Sequence, residues 1–316
     1  MELRRATPAD LPGIVDLLRV SLGDGNTEKS AAFWRWKHEE NPFGASPVMV
    51  ADDHGRIAGV RAFMRWQWAS RARTYRALRA VDTATHPDYR GQGIFKKLTL
   101  RLIEECMAEG DDFIFNTPND QSRPGYLKMG WEQLGKLPVR LAPLRPLSIV
   151  RNLSGGGERP APSLGAPQYH LLSDAAALDW LNDPERLPER GWRTPPSPAY
   201  LQWRYADCPA REYHVAGDPS EYLIVYYSRQ QRIGTELRIV EYLVRQGAER
   251  RAKAGLRDLR RRYPTDVMTA APTPGLPAYF LPALPLGLIL TFRKLNYGSP
   301  PPIGDWRYAL GDLELF

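Results

Sequence analysis

The sequence predicts a soluble α/β protein built twice over, on three observations. Apolar positions switch between helical and strand spacing along the chain. A Pro/Gly/Ser-rich stretch divides it near the middle, and residues on either side echo one another in order. The chain has 316 residues, 43% hydrophobic and 25% charged, which leaves room for two domains of ordinary size.

The elements follow in order. Thr7-Pro8-Ala9-Asp10 opens a helix over residues 8–22, with proline in the first turn and Leu11, Ile14, Val15 and Leu18 at helical spacing. Residues 47–51, 56–69 and 73–85 read as strands, the first two joined by the turn Asp52-Asp53-His54-Gly55. From Ile94 to Glu109, Phe95, Leu98, Leu102, Ile103 and Cys106 form one helical face that ends at Gly110, and Phe113-Ile114-Phe115 reads as a short buried strand. The stretch from Pro143 to Pro167 contains Ser154-Gly155-Gly156-Gly157 and Pro160-Ala161-Pro162; it has little to bury and reads as a linker. The division is therefore 1–145, a linker over 146–167, and 168–316.

The second half repeats the first. Trp36-Lys37 matches Trp203-Arg204 at an offset of 167, and Leu78-Arg79 with Val81-Asp82 matches Leu237-Arg238 with Val240-Glu241 at 159. Lys128-Met129-Gly130-Trp131 matches Lys294-Leu295-Asn296-Tyr297 at 166, which sets Tyr126 against Phe292. Ordered offsets that differ by a few residues are those of a duplicated domain with insertions.

Composition excludes several classes. Cys106 and Cys208 are the only cysteines, and the five histidines include no pair at i,i+3 or i,i+4, so no metal is expected. The longest apolar run, Tyr279–Phe292, is broken by Pro282 and Pro285, and no apolar leader follows Met1, so membrane association is not expected and a cytoplasmic location is. The net charge of +7 divides as +4 over residues 1–145 and +3 over the rest. A nucleic-acid binder would concentrate such an excess; the cluster from Arg250 to Arg262 reads as a solvated helical face, and no nucleic-acid partner is expected. Trp34 and Trp36 cannot share a helix face, so one is expected in the core and the other at a cleft. Trp66 and Trp68 share one face of a strand and read as core or domain interface.

The chemistry is concentrated in Val81–Phe95. A strand enters His86-Pro87-Asp88, passes Arg90-Gly91-Gln92-Gly93 and becomes a helix at Ile94-Phe95. Glycines let the backbone approach a ligand, and the helix start adds partial positive charge, so the loop is a cradle for a pyrophosphate. No Gly-Lys-Ser/Thr follows, which excludes a P-loop.

These residues resemble the GNAT superfamily of acyl-CoA-dependent N-acetyltransferases. The pyrophosphate motif Arg/Gln-x-x-Gly-x-Gly/Ala maps onto Arg90, Gly93 and Phe95, with Phe95 in place of the small last residue. A second motif, Asn119-x-x-Ser122-x-x-x-Tyr126-x-Lys128-x-Gly130-Trp131, is similar to the superfamily's Asn-x-x-Ala-x-x-x-Tyr-x-Lys-x-Gly-Phe. The resemblance covers residues 1–135, with a degenerate second copy after it, as in the tandem Eis-type acetyltransferases and mycothiol synthase. It implies a mixed, mostly antiparallel GNAT sheet flanked by helices and duplicated in tandem.

The resemblance also implies the activity and its residues. Acetyl-CoA is the expected co-substrate, and a primary amine on a small molecule or peptide attacks it directly. Thr83, Ala84 and Thr85 on the bulged fourth strand, Arg90, Gly91, Gln92, Gly93, Ile94 and Phe95 in the cradle, and Asn119 and Ser122 are expected at the cofactor. Tyr126 is expected to protonate the departing sulfur. Asp82 is the candidate base, on the reading that an apolar strand raises its pKa; water and the terminal carboxylate of Phe316 are the alternatives. His86 reads as structural. The second copy lacks the tyrosine hydroxyl and carries Gly247-Ala248-Glu249-Arg250 at the loop, where a carboxylate opposes a pyrophosphate, so it is expected to shape the acceptor pocket. The competing readings are a non-catalytic acyl-CoA-binding or regulatory module and an aminoacyl transferase resembling the Fem-type tandem GNAT proteins. Neither the acceptor nor the oligomeric state is legible.

Overall fold

The computed structural model describes residues 1–23, 28–155 and 160–314. Its strands are β1 (Glu2–Arg5), β2 (Val48–Asp53), β3 (Arg56–Ser70), β4 (Arg73–Thr85), β5 (Phe113–Asn116), β6 (Glu132–Lys136), β7 (Arg140–Pro143), β8 (His214–Asp218), β9 (Tyr222–Gln231), β10 (Gly234–Val244), β11 (Val267–Ala270) and β12 (Ile289–Lys294). The helices are α1 (Leu11–Leu22), α2 (Ala31–His38), α3 (Ile94–Ala108), α4 (Arg123–Lys128), α5 (Pro146–Leu153), α6 (His170–Ser173), α7 (Pro198–Leu201), α8 (Glu249–Arg262) and α9 (Leu310–Leu313).

Local chemistry sets the first elements as read. The Thr7 amide donates to Asp10 Oδ2 at 2.7 Å ahead of α1, which buries Leu11, Ile14, Val15, Leu17 and Leu18. The β2–β3 hairpin turns through His54 and Gly55, both at positive φ, the backbone that matches strand twist in a two-residue turn. The segment read as a linker begins with α5, whose Asn152 donates to the carbonyl of Ile233.

Two sheets carry the fold. One has the order β1-β2-β3-β4-β5-β12-β6 and the other β7-β11-β10-β9-β8. The halves exchange strands: β12, from near the C-terminus, lies antiparallel between β5 and β6, with Phe292 opposite Phe115, while β7 crosses to pair with β11. Phe292 therefore sits mid-strand and Tyr126 on helix α4. The third sequence offset is an accidental match, because Lys128–Trp131 leaves a helix and Lys294–Tyr297 leaves a strand.

The other offsets are real. α3 packs on the first sheet over Phe63, Leu78 and Ile114, and α8 packs on the second over Ile224, Leu237 and Met268. The opposite faces of both sheets share a single core, in which Trp66, Trp68 and Phe115 meet Trp192, Tyr205 and Val225. Trp34 and Trp36 are both buried there, Trp34 against the His38 ring and Trp36 against Trp203, and Trp34 also lines a small pocket beside Lys37 and Asp82. Helix α8 buries Ala252, Leu256 and Leu259 and leaves its arginines outward.

Candidate functional site

The site begins with a parting of strands. β4 and β5 pair in parallel over only three residues, Ala77–Arg79 against Phe113–Phe115. Beyond that point they diverge, and Ala80–Thr85 face Asn116–Asn119 across a cavity of about 750 Å³.

A bulge shapes one wall. The β3–β4 register slips between Arg61 and Ala62, leaving Asp82 unpaired with φ +36°. A non-glycine residue held at positive φ is costly and persists only where its surroundings fix it. Here Lys37 Nζ and His38 Nε2, both on α2, reach Asp82 Oδ2 at 2.7 and 2.9 Å, and His38 Nδ1 meets Ser46. Burial opposes the charge on Asp82, but Lys37 and His38 outweigh it and hold the carboxyl well below the usual carboxylate range. The raised pKa expected of a base on an apolar strand is thus overturned, because α2 supplies two donors that lie 44 and 45 residues away in sequence. Burial lowers the pKa of both Lys37 and His38, with Asp82 opposing that shift. The bulge falls at Asp82, just before the Thr83–Thr85 stretch where it was expected.

Tyr126 forms the far wall. It is buried on α4, edge-on to Phe95 at 5.8 Å and to Trp131 at 5.0 Å. Its oxygen accepts a 2.8 Å hydrogen bond from Arg61 Nη1, so the phenolic proton points elsewhere. Arg61 is wholly buried, stacks 4.6 Å from the Phe63 ring centre, and leaves Nε and Nη2 without protein partners among the described residues. Sequence reading missed Arg61, Lys37 and His38. A charge inside the strand run Ile57–Met64 was a legible signal for Arg61; nothing linked α2 to Asp82.

The loop and helix start lie at one end of this cleft. Gly91 and Gly93 have φ of +79° and +71°, Gly93 caps α3, and residues 90–93 are exposed. The Ile94 side chain is buried against Gly59, so only its backbone faces the loop. The Phe95 ring turns toward Tyr126 and Gly125. Thr83, Ala84, Thr85, Phe95, Asn119, Ser122, Tyr126 and Asp82 share the cavity wall, whereas Arg90, Gly91, Gln92, Gly93 and Ile94 do not line it. Asn119 Oδ1 accepts from the amide and hydroxyl of Ser122, fixing the entry to α4. His86 accepts from the Asp88 amide and meets Arg56, a structural cap.

The second half also carries a bulge on β10, but there it leaves Val240 unpaired, one residue before Glu241, the match to Asp82. Its helix start is occupied from within: Glu249 Oε1 accepts from the Gly247 amide at 3.1 Å. Arg204 and Tyr205 stand where Lys37 and His38 stand in the first half. Tyr205 bonds Glu241 at 3.1 Å, but Arg204 turns to the carbonyls of Gly311 and Glu314. Burial, with Asp312 nearby, outweighs the opposing effects of Arg193 and the Tyr205 hydroxyl and pushes Glu241 up to about 7. Phe316 lies outside the described residues. Among the described residues no helix is long and apolar enough to cross a membrane, and no group of three His, Cys, Asp or Glu could hold a metal.

A split, bulged sheet with a glycine loop at the start of the next helix frames this cleft. Residues 2–134 match the family model described as an acetyltransferase (GNAT) domain. Likenesses over most of the chain show the fold. A probable N-acyltransferase from Enterococcus faecalis is 11% identical with TM-score 0.60, over 93% of this chain and 73% of that one. A GCN5-related N-acetyltransferase from Anabaena variabilis is 15% identical with TM-score 0.59, over the same shares. Eis1 from Mycobacterium abscessus is 12% identical with TM-score 0.56, over 94% and 74%. Among curated proteins, none matches the chain.

Proposed function

We propose that residues 1–145 form an acetyl-CoA-dependent N-acetyltransferase that passes the acetyl group directly to a primary amine. Residues 168–316 would be a degenerate copy that completes the fold and shapes the acceptor side. The parting of β4 from β5 beyond Arg79 and Phe115 carries this reading, because it opens a cleft beside an anion-binding helix start.

The residues fit the co-substrate. Amides of Gly91–Ile94 would take the pyrophosphate, and the Phe95 ring is turned aside. The Asp82 bulge frees backbone from the ladder where the thioester carbonyl would lie, and backbone donors there would stabilise the oxyanion. Tyr126, with its oxygen already accepting from Arg61, keeps its proton to donate to sulfur as the C–S bond breaks and the C–N bond forms. Asp82 is committed to Lys37 and His38, so we assign it to holding the bulge, and the amine loses its proton to solvent. Calorimetry with acetyl-CoA, followed by thiol release over an amine panel, tests this. Binding with amine-dependent thiol release is expected; no binding overturns the reading.

A further inference from the structure

A second cavity, of about 650 Å³, lies between the halves, and Thr117 lines both it and the cleft just described. Thr117 follows β5 directly, is 9% exposed, and its hydroxyl has no partner among the described residues. A buried hydroxyl left unpaired at the join of two cavities costs free energy unless a ligand meets it.

The wall has two kinds of surface. Val139, Leu286, Leu288 and Leu313 give an apolar side. The β9–β10 hairpin and its surroundings give Arg211, Arg229, Arg232 and Arg238 against Glu236 and Glu314. Both carboxylates are already satisfied. Glu236 takes Arg229 at 2.6 Å, Arg238 at 3.3 Å and the Thr269 hydroxyl; Glu314 takes Arg238 at 3.0 Å and the hydroxyls of Tyr213 and Tyr227 at 2.7 Å each. Neither is left to receive an ammonium group. Exposed Arg232, at the hairpin turn, has no ion-pair partner among the described residues. Among the described residues the wall therefore holds more arginines than carboxylates beside an apolar surface.

We infer that the acceptor occupies this cavity and is an amine with an apolar body and an anionic group, carboxylate or phosphate, at its other end. The anion meets the arginines of the hairpin, the body lies on the leucines, and Thr117 orients the amine toward the cleft. This rests on the acetyl-transfer reading above.

The test compares 8-aminooctanoate, 8-aminooctyl phosphate and octylamine as acceptors, with binding of 8-aminooctanoate measured separately by calorimetry. The anionic amines are expected to exceed octylamine at least tenfold in kcat/KM, and whichever exceeds the other identifies the head group. Arg232→Glu combined with Arg229→Gln should bring that ratio near one, with acetyl-CoA binding reporting that the variant is folded. Thr117→Val should lower kcat for every amine and Thr117→Ser restore it. Transfer to octylamine without preference for the acids overturns this inference and keeps the enzyme. Arginine-dependent binding of 8-aminooctanoate without transfer to any amine keeps the pocket and overturns the enzyme. Neither binding nor transfer overturns both.

Discussion

Trp36 and Trp203 hydrogen-bond each other reciprocally. The indole of each donates to the main-chain carbonyl of the other at 2.7 Å, and the rings stack with centres 5.2 Å apart. Such exchange is what a local two-fold relation between duplicated halves produces, and it joins the halves at their shared core. Replacing either tryptophan with phenylalanine strands a buried carbonyl and leaves a void, at a cost of about 2–4 kcal/mol. Because the two bonds are made together, the double variant should cost less than the sum of the singles. Denaturant unfolding of the four proteins measures this, and strict additivity would contradict it.

Strand exchange makes the halves interdependent. A chain of residues 1–145 lacks β12, leaving β5 and β6 with unpaired edges and Phe115 uncovered. Exposed edges aggregate. The expected outcome is an insoluble fragment that becomes soluble on co-expression with residues 146–316, read by sedimentation and circular dichroism.

Glu241 sets a pH dependence. Its folded pKa, raised by burial to about 7, lies above the ordinary glutamate value, so its contribution to stability is full below that ordinary value and is lost as pH rises through about 7. Glu241→Gln, neutral at every pH, should raise Tm relative to the parent at pH 8 and much less at pH 5. Thermal melts at the two pH values check the sign.

Asp82 acts in the opposite direction. Its depressed carboxyl stabilises the fold above the ordinary aspartate pKa, and the contribution fades as pH falls below that value. Asp82→Ala leaves Lys37 and His38 buried without an anion and releases the bulge. A loss of about 3–5 kcal/mol at neutral pH is expected by urea unfolding.

On the proposed reading, the glycine loop and Tyr126 separate kinetically. Gly93→Val forces a β-branched residue to φ +71° at the helix start and should weaken acetyl-CoA binding by about a hundredfold or more. Tyr126→Phe removes the hydroxyl from a packed ring, and with it the acceptor of Arg61, and should leave that affinity within a few-fold while lowering kcat by about a hundredfold. Calorimetry and initial rates on both variants distinguish the roles.

What the chain made legible was local. Capping at Thr7–Asp10, the turn at His54–Gly55, the helical face from Leu98 to Cys106, and the glycines before Ile94 each act within a few residues of sequence. Short-range backbone chemistry writes them directly. Paired offsets around Trp36 and Leu78 likewise survived duplication and could be read as a repeat.

What the sequence by itself determined, then, was the α/β class, the repeated plan and the glycine loop at the start of α3. Only the tertiary structure decided that β12 and β7 change sheets, that Lys37 and His38 hold Asp82 ionised, that Arg61 meets Tyr126, and that Arg204 abandons Glu241 for the C-terminal carbonyls. Those outcomes depend on contacts between residues tens to hundreds of positions apart. Burial and charge pairing, rather than spacing along the chain, set their energies.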